Sequence, residues 1–129
     1  MHAVGAGVTN VAVGARVFVT GSLSGTYAQF TLCAAELVHD LPDTISFAQG
    51  AALNVPYRTA YRALFQRVRV RPGQWVLVHG ATGSVGLAAV QLALAAGFRV
   101  IGSAGTQEGA QLLRDQGVAH SASFGVFCV

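Results

Sequence analysis

Three glycines at a regular spacing, Gly80, Gly83 and Gly86, most constrain what this chain of 129 residues folds into. The Val-rich run at 75–79 before them is typical of a buried parallel strand, and the Ala- and Leu-rich run at 87–96 after them is typical of a helix. A glycine-rich turn between a strand and a helix predicts a dinucleotide-binding turn, with the phosphates over the helix N-terminus. The spacing is Gly-x-x-Gly-x-x-Gly rather than Gly-x-Gly-x-x-Gly, so an ordinary glycine-rich turn of an α/β domain is the alternative.

The strand and helix pattern continues beyond this turn. Gly97 is expected to end the first helix with a positive φ, and residues 98–103 are predicted to form a second strand. Thr106 is predicted to cap a second helix that runs to about Gln116, and Val118 begins a third strand. The fold class is therefore α/β, a parallel βαβαβ unit that is part of a Rossmann domain, because a whole dinucleotide domain has about six strands.

The end of the second predicted strand bears on the choice of cofactor. NAD sites place Asp or Glu there to bind the ribose hydroxyls, but residues 102–106 contain no acid and the next one is Glu108. The hydroxyls of Ser103 and Thr106 are predicted to meet a 2′-phosphate, which favours NADP(H) over NAD(H). The alternative for Ser103 is that it only ends the strand.

The first part of the chain has a β-strand pattern. Residues 17–20 and 34–38 are predicted as short strands, and residues 26–32 alternate in the way expected of a strand with one buried face. Three short strands are too few to close a barrel, so we expect them to be the last strands of a larger β domain.

Helical signals begin at Ser46, where Ser46 and Gln49 fit a capping box. Pro56 is expected to hold Val55 in an extended conformation and to lie in the first turn of a second helix over residues 57–68. Five arginines lie between positions 58 and 71, which allows a nucleic-acid surface as one interpretation. The favoured interpretation is a solvated helix face whose positive end complements the helix dipole, because no stacking aromatic side chains are interleaved at loop positions.

The composition excludes several classes of protein. Hydrophobic residues make up 53% and charged residues 10% of the chain, so a disordered chain is not expected. The net charge of +3 does not by itself indicate a nucleic-acid partner. Cys33 and Cys128 stand alone, so no zinc site is predicted, and a reduced chain is favoured over a single disulfide. The sequence suggests neither a membrane span nor a signal peptide, so we expect a cytoplasmic protein.

Three segments, 53–64, 76–86 and 102–106, resemble the zeta-crystallin-like quinone oxidoreductase family of the zinc-free medium-chain dehydrogenase/reductase superfamily. The resemblance covers roughly residues 4–120. Ala15 stands where the family usually has Asp, and Ser84 stands where it usually has a second glycine.

The resemblance implies an NADPH-dependent reduction of quinones by hydride transfer, with the cofactor in a cleft between a GroES-like catalytic domain and a nucleotide domain. It also implies no metal, no membrane, a homo-oligomer of two or four chains, and weak binding of single-stranded RNA. It carries no catalytic residue into this chain. The cofactor-binding residues predicted from the glycine loop, the strand end and the resemblance are Thr59, Gly80, Thr82, Gly83, Ser84, Val85, Gly86, Ser103, Gly105 and Thr106.

We therefore expect residues 1–45 to be a remnant of the GroES-like catalytic domain, and residues 46–129 to be a truncated NADP-binding Rossmann domain with a divergent tail at 121–129. A chain truncated at both ends is expected to have little reductase activity alone. The alternative is a non-catalytic isoform that acts as an interaction or RNA-binding module. A structural role, as in the lens, is a weaker possibility.

Overall fold

A computed structural model describes residues 1–123 of the chain. They form two compact units, one from Met1 to Asn54 and a second that begins at Val55. Residues 124–129, the end of the predicted divergent tail, lie outside the described residues.

The first unit contains a two-stranded antiparallel sheet. Strand β1 (Val17–Val19) pairs with strand β2 (Val38–Asp40), and Phe18 lies opposite His39. The strand predicted at 17–20 is confirmed. The strand predicted at 34–38 is wrong over most of its length, because Ala35–Leu37 forms a 3₁₀ turn and the strand begins only at Val38.

The strand predicted at 26–32 is not formed. The segment is instead a loop whose ends are held by local hydrogen bonds. The N–H of Leu23 donates to the C=O of Leu32 at 2.8 Å, and the N–H of Leu32 donates to Ser24 Oγ at 2.9 Å. Tyr27 and Phe30 are both exposed. Alternation produces a strand only where a neighbouring strand supplies hydrogen bonds and a buried face, and no described residues do so here.

Helix α1 (Phe47–Ala51) begins at the predicted capping box. Ser46 Oγ accepts a hydrogen bond from the N–H of Gln49 at 3.2 Å, and Gln49 Oε1 accepts one from the N–H of Ser46 at 2.9 Å. The two side chains thus satisfy two donors that a helix start leaves unpaired.

Helix α2 (Asn54–Tyr61) starts earlier than predicted, so the expectation that Val55 is extended is wrong. Pro56 is the third residue of the helix, where a missing N–H breaks no intrahelical hydrogen bond. The helix continues without interruption as a π-helical segment, Arg62–Arg67, which the sequence pattern does not predict. The N–H of Val68 donates to the C=O of Ala63 at 3.0 Å, the five-residue step of a π-helix.

The second unit has a three-stranded parallel sheet in the order β3-β4-β5, which confirms the predicted partial Rossmann arrangement. Val78 on β3 lies opposite Gly102 on β4, and Ile101 on β4 lies opposite His120 on β5. The elements are β3 (Trp75–Val78), helix α3 (Ser84–Ala95), β4 (Arg99–Ala104), helix α4 (Gln107–Asp115) and β5 (His120–Ser123).

The core of this unit is built from small and branched side chains. Leu113, Val90 and Val100 are its largest fully buried side chains. Gly97 follows α3 with a φ of 74°, as predicted for the residue after a helix end. No helix within residues 1–123 combines the length and the apolar character needed to cross a membrane.

Candidate cofactor-phosphate site

The glycine loop, residues 79–83, joins β3 to α3 by a tight turn. Gly80 has a φ of 64°, a conformation that side chains other than glycine rarely adopt. The N–H of Gly83 donates to the C=O of Gly80 at 3.1 Å, and the N–H of Leu87 donates to the C=O of Gly83 at 2.8 Å. The second bond starts α3, so the loop delivers the helix N-terminus directly to the end of the strand.

Gly86 is the point where the first turn of α3 packs on this loop. A Cβ atom at Gly86 would lie 2.3 Å from the backbone oxygen of Gly80 and 2.7 Å from the Cα of Ala81. Both obstacles are backbone atoms, which cannot move aside as a flexible side chain can. The third glycine of the pattern is therefore required by packing, whether or not a ligand binds.

Gly83 and Gly105 differ from Gly80 and Gly86, because the fold does not require a glycine at either position. Gly83 has a φ of −73°, and a Cβ there would come no closer than 3.5 Å to the Gly80 oxygen. A Cβ at Gly105 would have no heavy atom within 4 Å. Parallel strands end at the same sheet edge, so both open positions lie at the carboxyl edge of β3 and β4. A phosphate group that approaches the backbone fits such an uncrowded edge.

The first turn of α3 presents exposed backbone to the same edge. Gly83 is the N-cap residue and offers no side-chain cap, and Ser84 and Val85 behind it are exposed. The N–H groups of a first helical turn have no intrahelical acceptor and lie at the positive end of the helix dipole. This turn can therefore donate hydrogen bonds to an anion.

Ser103 is the one buried polar residue described, with 3% of its surface exposed. Its hydroxyl accepts a hydrogen bond from the N–H of Gly80 at 2.9 Å and is hydrogen-bonded to Nδ1 of His79 at 2.5 Å. Its C=O accepts the N–H of Ala81 at 2.8 Å. Ser103 thus fastens the glycine loop to the end of β4. Sequence reasoning assigned its hydroxyl to a phosphate, and no sequence signal indicates the inward orientation.

Thr106 caps α4, as predicted, because its Oγ1 accepts the N–H of Gly109 at 3.0 Å. The exposed carboxylate of Glu108 accepts hydrogen bonds from its own backbone N–H and from the Thr106 hydroxyl, and these bonds lower the pKa of Glu108. A Cβ at Gly109 would lie 3.0 Å from Cγ2 of Thr82, so the Thr82 methyl group packs on this turn. The glycine loop and the start of α4 are therefore neighbours.

Thr59 is placed differently from the other predicted cofactor residues. It is exposed on α2, where it lines a cleft with arginine side chains. The hydroxyl of Tyr57 donates to Oε1 of Gln91, which ties α2 to α3. No hydrogen bond described for residues 1–123 joins Thr59 to the glycine loop. Within the same residues, no group of three His, Cys, Asp or Glu side chains is arranged to hold a metal ion.

Comparison with known proteins finds quinone oxidoreductases, and also polyketide synthases and enoyl reductases. A quinone oxidoreductase from Rattus norvegicus is 50% identical over 117 residues, which cover 91% of this chain and 36% of the rat protein. The Escherichia coli quinone oxidoreductase, solved in complex with NADPH, matches with a TM-score of 0.78 at 35% identity over 95% of this chain and 37% of that chain. A mycobacterial protein solved with NADPH matches with a TM-score of 0.83 at 34% identity, over 97% of this chain and 39% of that chain. No protein-family model matches the chain.

The parallel sheet, the glycine loop and these matches show that the chain resembles part of the medium-chain dehydrogenase/reductase oxidoreductases. More narrowly, the chain is a homologue of the quinone oxidoreductases, which confirms the resemblance predicted from its sequence. The chain spans about a third of the length of these relatives, 36% for the rat protein.

Proposed function

We propose that this chain carries the NADPH-binding sheet edge of a quinone oxidoreductase. The observation that supports this most directly is the open backbone at Gly83 and Gly105, two glycines that the fold itself does not need. Both lie at the sheet edge where dinucleotides bind in this fold class. Relatives named as quinone oxidoreductases, including one solved with NADPH, support the choice of cofactor and reaction.

Each predicted residue then has a definite role in the proposal. The pyrophosphate lies over Gly83, and the N–H groups of Ser84 and Val85 donate to its oxygens. Gly80 and Gly86 shape the turn that brings the helix start close to the phosphates. Residues 103–106 and Thr82 line the rest of the proposed site. Ser103 holds the glycine loop from inside the protein, and Thr82 packs on α4. Gly105 and Thr106 face the adenosine end of the cofactor.

The preference for NADPH over NADH rests on charge. Residues 102–106 contain no carboxylate, so the 2′-phosphate meets no negative side chain at the strand end. Glu108 is the nearest acid along the chain, and as an exposed carboxylate it is ionised at neutral pH. We propose that Glu108 moderates the preference without reversing it.

The bound nicotinamide supplies a hydride for the quinone, and the described residues of this chain bind and orient the cofactor. No acid, base or nucleophile of this chain is assigned a step. Thr59 is proposed to lie near the nicotinamide because of the family resemblance alone. The cytoplasmic location, the independence from zinc and the homo-oligomeric state are proposed on the same ground.

Thermal unfolding with and without cofactor tests the proposal. Trp75, at the start of β3, reports the unfolding of the second unit by its fluorescence. We expect NADPH to raise the midpoint more than NADH does, since a ligand that binds only the folded state stabilises it. A midpoint that neither cofactor moves would contradict the site. Oxidation of NADPH by a quinone, followed by absorbance, then tests the reaction separately from binding.

A further inference from the structure

Three arginine side chains converge on one cleft of the second unit. Arg58, Arg62 and Arg67 line a cavity of about 450 Å³ together with Thr59 and Ala63. All five residues lie on α2 and on the π-helical segment that continues it. The cleft is thus formed by one continuous helical surface.

The π-helical winding explains how Arg67 reaches this surface. In an α-helix, residues five apart lie on different faces, because each residue turns the chain by about 100°. Arg62 and Arg67 are five residues apart, and the five-residue hydrogen-bond step of the π-helix brings such pairs onto nearly the same face. Arg58 precedes Arg62 by one α-helical turn, so all three align. Helical irregularities of this kind are frequent at functional sites.

No carboxylate among residues 1–123 pairs with the cluster. The sequence has no acidic residue between Asp43 and Glu108, and the one ion pair within residues 1–123 joins Arg16 to Asp43. The three guanidinium groups of the cleft have no hydrogen bond or ion pair to another described residue. Positive side chains that lie close together repel one another and attract small anions.

The helix dipole does not account for the cluster. Positive charge is favourable within the last turn of a helix, which covers Arg67. Arg58 and Arg62 lie inside the uninterrupted helical stretch from Asn54 to Arg67, where the dipole offers little stabilisation. Their common orientation into the cleft therefore calls for a different explanation.

We propose that this arginine cleft binds a small molecule that carries a diphosphate group. A guanidinium group donates two parallel hydrogen bonds to phosphate oxygens, and three such groups match the several charged oxygens of a diphosphate. The cleft contains no residue of the glycine loop, although Thr59, which the proposed function places near the nicotinamide, also lines it. The inference rests on the three arginines and not on the glycine loop.

Titration of the whole chain with inorganic pyrophosphate, followed by calorimetry, tests the proposal. We expect saturable binding that Arg58→Gln, Arg62→Gln and Arg67→Gln each weaken by about tenfold, since each removes a charge-assisted hydrogen bond. Arg69→Gln is the matched control, because it removes the same charge two residues beyond the cleft and leaves the lining intact. Gly83→Val leaves the arginine cleft unchanged, so a loss of pyrophosphate affinity in this variant would identify binding at the glycine loop.

Three results would overturn the proposal. One is the absence of saturable pyrophosphate binding in a chain that unfolds cooperatively. Another is an equal loss of affinity in Arg69→Gln and the three cleft variants, which would indicate diffuse positive charge. The third is saturation by a single-stranded oligonucleotide without saturation by pyrophosphate, which would indicate a track for a nucleic-acid backbone.

Discussion

Ser103 Oγ lies 2.9 Å from the backbone nitrogen of Gly80 and accepts its hydrogen bond inside the protein. This contact joins the end of β4 to the start of the glycine loop, so Ser103, for which the sequence predicts either a phosphate contact or a plain strand end, positions the loop. The hydroxyl is buried and already engaged with Gly80 and His79.

Ser103→Ala is expected to destabilise the chain by about 1 kcal/mol, because it removes the buried hydroxyl that accepts the hydrogen bond of the Gly80 N–H. NADPH and NADH should lose affinity by the same factor, since the hydroxyl acts through the loop. Urea unfolding measures the first effect and cofactor titration measures the second. A loss confined to NADPH would show that Ser103 contacts the 2′-phosphate.

Gly86→Ala and Gly83→Ala are expected to separate packing from binding. The Cβ at Gly86 would lie 2.3 Å from the Gly80 oxygen, so we expect a loss of about 1–3 kcal/mol or more in the free energy of unfolding. The Cβ at Gly83 meets nothing closer than 3.5 Å, so folding should change by no more than about 1 kcal/mol, the usual scale for a helix-cap change. Gly83→Ala should instead reduce the rise in midpoint that NADPH causes. Unchanged NADPH binding in Gly83→Ala would argue against a phosphate at this loop.

Glu108→Gln is expected to raise the ratio of NADPH affinity to NADH affinity by about two- to threefold, because a screened unit charge near the strand end contributes a few tenths of a kcal/mol. Affinity for NADH should stay nearly constant. Asp115→Asn removes the same charge at the other end of α4 and serves as the control. An identical rise in both variants would assign the effect to net charge.

Thr106→Ala is expected to raise the pKa of Glu108 toward its ordinary value. Hydrogen bonds from the Glu108 N–H and the Thr106 hydroxyl favour the ionised carboxylate and lower its pKa. A carboxyl group with a lowered pKa in the folded state adds stability above its ordinary pKa, and this stability is lost as the pH falls through the folded value. The variant should therefore lose less stability on acidification. NMR titration of the Glu108 carboxyl measures the shift, and an unmoved pKa would contradict the hydroxyl contact.

The same variant removes the N-cap of α4, so its stability at neutral pH should fall by about 1 kcal/mol. Ser46→Ala, which removes the cap of α1 far from Glu108 in sequence, is expected to lower stability without moving this pKa. Comparing Thr106→Ala with Ser46→Ala separates the loss of a helix cap from the change in the pKa of Glu108. Both variants lose a cap, but only Thr106→Ala removes a contact with Glu108.

Local signals predicted much of the second unit. Thr106 caps the start of α4, and Gly97 follows the end of α3. Each residue affects only the neighbouring one or two helical turns, so a short stretch of sequence is enough to predict its effect. The parallel direction of β3, β4 and β5 follows from strands separated by helices, because a helical crossover returns the chain to the end of the sheet where the previous strand began. The glycine loop was predictable for the same reason, since it needs only a strand, three glycines and a helix.

The failures share a different cause. The alternation at 26–32 predicts a strand, but a strand forms only beside a partner, and the partner is not a property of the segment. The winding at Arg62–Arg67 changes from an α-helix to a π-helix, and no residue in it marks the change. Val55 is helical because α2 begins at Asn54, which places Pro56 within the first turn of the helix.

The sequence by itself determined the order of the elements in the second unit, the position of the glycine loop and the resemblance to quinone oxidoreductases, because each depends on residues that are close together along the chain. The tertiary structure alone decided the orientation of Ser103 and the convergence of Arg58, Arg62 and Arg67 on one cleft. These features depend on which side chains meet across elements and on how a helix is wound. Packing and hydrogen bonding between residues distant in sequence decide the orientation of Ser103. The hydrogen-bond step of the helix decides the convergence of the three arginines.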